Sequence, residues 1–154
     1  MIDWLACVLV KTFSWVLCRV PPEVCVWLGM RLGWAASWLQ PKRARIGYMN
    51  LKSAFGEQLS PAQARRLVRG VFGQLGAGLV ELLRLPVIDR AYIERYVEME
   101  GRVYFDAAVS SGRPVMLLTG HVGNWELGSI YAALIGYPVV VLARAQANLP
   151  KLYR

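Results

Sequence analysis

Two apolar runs open the chain, and the residues between them predict helices. Trp4 to Val20 is apolar except for Lys11, Thr12, Ser14 and Arg19, and Pro21-Pro22 ends it. At about 17 residues this run is at the short limit for a helix that spans a bilayer, and its central Lys11 must snorkel or face protein. The second run, Val24 to Leu39, carries Trp27, Trp34 and Trp38 at helical spacing on one face. That pattern fits a helix lying in a membrane interface better than one crossing it.

A short helix and a turn are expected from Gly47 to Gln58. Ser60-Pro61-Ala62-Gln63 then has the form of a helix start, with Ser60 as N-cap, Pro61 at the first helical position and Gln63 as the capping-box partner. The helix that follows, about 24 residues long and closed by Pro86, has an apolar stripe at Leu67, Val71, Leu75, Leu79 and Leu82. Gly70, Gly73, Gly76 and Gly78 each cost it about 1 kcal/mol relative to alanine, and are read as positions of close packing.

The last third alternates differently. Tyr96 to Glu100 reads as a short strand, Gly101 to Ser111 as a helix stopped by Gly112, and Pro114 to Thr119 as a buried strand. A helix from Trp125 to Ile135, stopped by Gly136, leads to a further strand at Pro138 to Ala143. Strand, helix and strand at this spacing predict a βαβ unit with parallel strands and a right-handed crossover. The expected fold class is therefore α/β: N-terminal membrane-associated helices, then further helices and the first βαβ units of a mostly parallel sheet.

Composition agrees with a membrane association. Of the 154 residues 56% are hydrophobic and only 18% charged, below the roughly 25% usual for soluble domains. The six tryptophans favour a membrane interface. The net charge of +8 is weighted to the front, where Lys11, Arg19, Arg31, Lys42, Arg43, Arg45 and Lys52 face only Asp3 and Glu23. These charges border apolar, tryptophan-rich segments and no common nucleic-acid motif is present, so an anionic membrane surface or lipid headgroup is the expected partner, not nucleic acid. The front lacks the features of a cleavable signal, and the cluster Lys42, Arg43, Arg45 is expected to stay cytoplasmic. Cys7, Cys18 and Cys25 have no Cys-x-x-Cys spacing that points to zinc or a redox pair.

The candidate chemistry sits just past a predicted strand. Ligands of open parallel sheets bind beyond the carboxyl ends of strands, and His121 follows Leu117-Leu118-Thr119 by two residues. Gly120 and Gly123 flank it and permit a tight turn. Asn124 is a good N-cap for the next helix, which puts Glu126 in a first turn where the helix dipole favours a carboxylate. Such a pair suits general-base catalysis, with His121 taking a proton from an attacking hydroxyl and Glu126 orienting the imidazole. A hydrogen-bonded histidine near a turn, with no catalytic role, is the other reading of position alone.

The surrounding residues, Leu117-Leu118-Thr119-Gly120-His121-Val122-Gly123-Asn124-Trp125-Glu126-Leu127, resemble the signature of the lipid A biosynthesis acyltransferases, the late lauroyl and myristoyl transferases. These share a His-x-x-x-x-Asp/Glu motif with the wider glycerolipid acyltransferases. Asn50-Leu51-x-x-Ala54-Phe55, the helix carrying Glu81 and the apolar anchor are similar to the family's front half. The resemblance implies transfer of a fatty acyl group from acyl carrier protein to a hydroxyl of a lipid A precursor or related glycolipid, at the cytoplasmic face of the bacterial inner membrane. It implies His121 as base, Glu126 as its partner, and no metal or bound cofactor. Residues 1–40 are then the membrane-anchoring segment and 41–154 the N-terminal portion of the acyltransferase domain. Arg144, past the Val139-Val140-Val141 strand, is a candidate for binding an anionic headgroup, with a solvated or salt-bridged arginine as the alternative.

Members of that family are considerably longer, and this chain stops partway through the expected sheet. The expectation is an incomplete acyltransferase fold in which the catalytic pair is present and the fragment by itself is inactive. Two alternatives are an acyltransferase acting on a different lipid acceptor and a non-catalytic membrane-associated interaction protein.

Overall fold

The computed structural model describes residues 2–120, 122–137 and 139–140. They form seven α-helices and two short 3-10 turns, grouped in two compact units, residues 2–86 and 87–140.

In the first unit, Pro21-Pro22 divides the apolar front into α1 (Ile2–Leu17) and α2 (Pro22–Leu39). Proline fits the first turn of a helix but not its interior, so Pro22 ends one helix and opens the next. Pro41 repeats the device, starting α3 (Pro41–Phe55), which Gly56 ends at φ +54. A 3-10 turn, Gly56–Gln58, leads to α4 (Pro61–Leu83). The predicted capping box is formed: the Gln63 amide donates to Ser60 Oγ (3.3 Å) and the Ser60 amide to Gln63 Oε1 (2.9 Å). Ser60→Ala removes one of these acceptors and is expected to cost about 1 kcal/mol in urea denaturation, with the helix start still held by Pro61.

The α2–α4 pair is the heart of this unit, and glycine makes it. A Cβ on Gly29 would lie 2.7 Å from the Gly76 carbonyl oxygen, one on Gly33 would collide with the Phe72 carbonyl, and one on Gly76 with the Gly29 carbonyl. The backbones therefore approach more closely than any larger residue permits, as in the small-residue crossings of apolar helix pairs. Gly73 is covered by the Trp34 indole. Of the glycines read as close-packing positions, Gly73 and Gly76 hold that role, while Gly70 faces open space.

This packing reverses the expected orientation of α4. Its buried face is Ala64, Val68, Gly73, Ala77 and Val80, whereas Leu67, Val71, Leu75 and Leu79 of the predicted stripe are exposed, Leu79 by 63%. The face with small side chains allows the shorter interhelical distance, and so it is the one that finds a partner.

Leu17, Cys25 and Val80 form a small core with Val20 and Leu83 around it. Arg84, just past α4 and only 4% exposed, donates from its guanidinium to the carbonyls of Leu17 and Val20 and to Cys25 Sγ (3.3 Å). It thereby satisfies carbonyls that the end of α1 leaves without helical partners. The Ser14 hydroxyl donates to the Leu83 carbonyl and ties α1 to the same end of α4.

The second unit begins with a 3-10 turn, Leu85–Val87, at its boundary and continues with α5 (Arg90–Tyr96), α6 (Arg102–Ser110) and α7 (Glu126–Leu134). The Asp89 carboxylate caps α5 by accepting from the Tyr92 amide (2.8 Å). Ile93 of α5 is fully buried, as is nearly all of Ala132 on α7, and the two helices are in contact.

The α/β expectation is corrected here. Among the described residues there is no strand and no sheet. The segment expected as a strand from Tyr96 is instead the end of α5 followed by irregular chain, and 114–119 has no ladder partner among the described residues, with Leu118 95% exposed. The expected strand from Pro138 falls mostly outside the described residues. A helix closes its hydrogen bonds within one segment, whereas a strand exists only through a second strand. Alternating and continuous apolar runs carry no information about whether that second strand is there.

The membrane helices of the expected fold are corrected as well: among the described residues no helix is long and apolar enough to cross a membrane. Pro21-Pro22 cuts the apolar front into helices of 16 and 18 residues, short of the roughly 20 apolar residues a 30 Å hydrocarbon core requires. Lys11 interrupts the first and Arg31 the second.

Candidate active site

The turn that presents Glu126 is built from its backbone outward. Gly123 takes φ +60, a conformation strained for any residue with a side chain, and an added Cβ there would meet nothing. The requirement is thus one of conformation and not of space. The Val122 amide donates to the Gly120 carbonyl (2.8 Å), while Gly120 itself needs no positive φ.

Helix α7 starts at Glu126, with Trp125 in the cap position and no side-chain cap bond. Asn124 lies one residue before that position, and its carbonyl accepts from the Leu127 amide (3.2 Å), so it contributes to the turn through its backbone. Glu126 is half-buried in the first turn of α7, as its place in the sequence implied. At the other end Gly136, at φ +100, closes the helix: its amide bonds to the Ala133 carbonyl (3.1 Å) and that of Tyr137 to Ala132 (3.0 Å). This double closure is the Schellman arrangement expected of a glycine stop.

His121 and Arg144 lie outside the described residues. Of the three site residues expected from the sequence, the structure therefore positions Glu126. No cluster of three potential metal-binding side chains occurs among the described residues.

Two features near α7 had no counterpart in the sequence reading. A cleft of about 360 Å³ runs between α5, α6 and α7, with Ile93 and Ile135 as apolar wall and Arg90, Glu94, Arg102 and Tyr131 around it. Two ion pairs flank it, Arg90 with Glu94 (2.9 Å) and Arg102 with Asp106 (3.3 Å). The Asp89 cap signal was present in the sequence and would have located α5, and hence this cleft.

The second feature is Tyr137, which donates its phenol to Asp106 Oδ1 (3.2 Å) and packs edge-on against Phe105, joining the end of α7 to α6. Partial burial, then the bond to Asp106 and its negative charge, raise the Tyr137 pKa above the ordinary phenol value, with Arg102 opposing. The folded chain thus holds this proton more tightly than the unfolded one. Its contribution to stability is present below the ordinary phenol pKa and is lost as pH rises through the raised value. Asp106→Asn is expected to bring the Tyr137 titration down towards that of an exposed tyrosine, measured by the NMR shift of the labelled ring carbon.

Comparison with known proteins places the chain in a family. The sequence model of the bacterial lipid A biosynthesis acyltransferases matches residues 1–154. The chain belongs to that family. Within the family it is similar to the lipid A biosynthesis lauroyltransferase of Escherichia coli (strain K12), at 29% identity over 115 residues. That match takes in 75% of this chain and 37% of the lauroyltransferase, so the matched part spans little more than a third of that relative's length. No solved structure matches the chain. For this lipid A acyltransferase family member, the stretch Leu117 to Leu127 lies within the matched residues.

Proposed function

We propose that the protein takes part in transfer of a fatty acyl group from acyl carrier protein to a hydroxyl of a lipid A precursor or related glycolipid. The family match over the whole chain carries this reading. The setting of Glu126, half-buried in the first turn of α7 behind a glycine at positive φ, supports it. In the proposed reaction His121 accepts the acceptor's hydroxyl proton as the oxygen attacks the thioester carbonyl. A new C–O bond forms, the C–S bond breaks, and the imidazolium returns the proton to the departing thiolate. Glu126 orients the imidazole and stabilises its charged form. Arg144 is assigned the anionic headgroup of the acceptor.

The reading places the protein at the cytoplasmic face of the bacterial inner membrane, resting on its surface. Exposed Trp4, Trp15, Trp27 and Trp38 support that location. So do Arg19 stacked over Trp15 (3.4 Å) and Arg31 near Trp27 (5.2 Å) and Trp34 (4.9 Å), amphipathic pairs suited to a headgroup layer. The test is mass-spectrometric detection of a new ester when a full-length form that contains these 154 residues is supplied with acyl-loaded carrier protein and a hydroxylated lipid A precursor. Ester formation on that acceptor is the expected result. Formation only on a lysophospholipid would reassign the acceptor, and no ester on either would sink the reading in favour of a non-catalytic role.

A further inference from the structure

Helix α3 has two unlike faces. Towards α4 it presents Gly47, where a Cβ would already be in contact with Val68, and the partly buried Ala44, Tyr48 and Leu51. The opposite face runs Lys42, Ile46, Met49, Ser53 at helical spacing, with Arg43 and Arg45 on its two sides. All of these are exposed, Ile46 by 60% and Met49 by 56%.

The charge on this face is uncompensated. Helix α3 contains no acidic residue, and Glu57, the one carboxylate from 41 to 80, pairs with Lys52 (3.6 Å). Lys42, Arg43 and Arg45 have no ion-pair partner among the described residues. Arg90 and Arg102 of the second unit, by contrast, are matched with acids one turn away. Arg65, Arg66 and Arg69, exposed on the adjoining α4, add to the same positive field.

We infer that α3 is a contact for an anionic lipid surface, with Ile46 and Met49 entering the boundary between headgroups and acyl chains and Lys42, Arg43 and Arg45 meeting lipid phosphates. Two apolar side chains set between cations match a surface whose charge overlies hydrocarbon. Nucleic acid would satisfy the cations and leave Ile46 and Met49 in water. A second copy would bring like charges together. Trp38 and Leu39, highly exposed just before the helix, extend the apolar area in the way a lipid surface accommodates. The inference narrows the surface location proposed above to one face and one lipid charge, and is independent of His121 and Glu126.

Sedimentation of the 154-residue chain with phosphatidylcholine vesicles, with and without phosphatidylglycerol, tests it. The chain should prefer the anionic vesicles, and less so as salt rises. Substituting Lys42→Gln, Arg43→Gln and Arg45→Gln together should weaken partition onto the anionic vesicles about 100-fold, each cation contributing roughly fivefold, and leave neutral-vesicle binding unchanged. Ile46→Ser with Met49→Ser should weaken binding to both. Circular dichroism checks that each variant keeps its helices, all five sites being exposed. Equal binding of the native chain to both vesicle types overturns the inference while leaving a membrane location intact. So does an unaltered preference in the triple variant, or salt-sensitive binding to duplex DNA in place of the lipid preference.

Discussion

His121→Ala in a full-length form is expected to lower acyl transfer between about a hundredfold and ten-thousandfold, the usual contribution of a positioned general base. On the proposed mechanism the loss should fall on kcat, with binding of the carrier protein and of lipid unchanged. Glu126→Gln keeps a side chain of the same shape in the first turn of α7 but removes its charge, and should reduce kcat by a smaller factor. Single-turnover ester formation measures both. Normal turnover by His121→Ala would remove the assigned role, and a large loss of carrier binding would mean that the residue shapes the site without acting as its base.

The second large effect concerns the fold. Gly76→Leu should destabilise the first unit by about 3 kcal/mol or more, because the new side chain must displace the Gly29 carbonyl and the backbone at Gly33, neither of which is a flexible side-chain end. Helix propensity acts the other way by less than about 1 kcal/mol, so the steric term wins. Gly70→Leu is the control: it gains the same propensity, meets open space and should be neutral or mildly stabilising. Urea denaturation followed by tryptophan fluorescence reads both, since Trp34 lies against Gly73 in the same contact. An equal response of the two variants would show that the α2–α4 approach is looser than the structure has it.

Much of the helical layout was legible because its signals are local. The Ser60 capping box, the proline breaks at 21–22 and the glycine stops at 112 and 136 each act within a few residues of themselves, and each is found where expected. The turn before Glu126 was readable for the same reason, since Gly123 and the helix start are neighbours in the chain. Asn124 as N-cap was nearly right: the helix begins one position later, and Asn124 serves through its carbonyl. Helix α5 went unseen although its Asp89 cap is as local as the others.

Local rules failed where a second partner decides the outcome. Sequence alone determined the capped start of α4 and the glycine stops after α6 and α7, and placed Glu126 in a helical first turn. Only the tertiary structure decided which face of α4 is buried. Hydrophobic periodicity weighs large side chains and favoured Leu67, Val71, Leu75 and Leu79, whereas close packing on α2 selected the face with Gly73, Gly76 and Ala77. It also decided that 114–119 stands without a sheet among the described residues, because strand pairing is a property of two segments and apolar pattern a property of one. Hydrogen bonds that close within a segment can be read along the chain, and contacts that close between segments cannot.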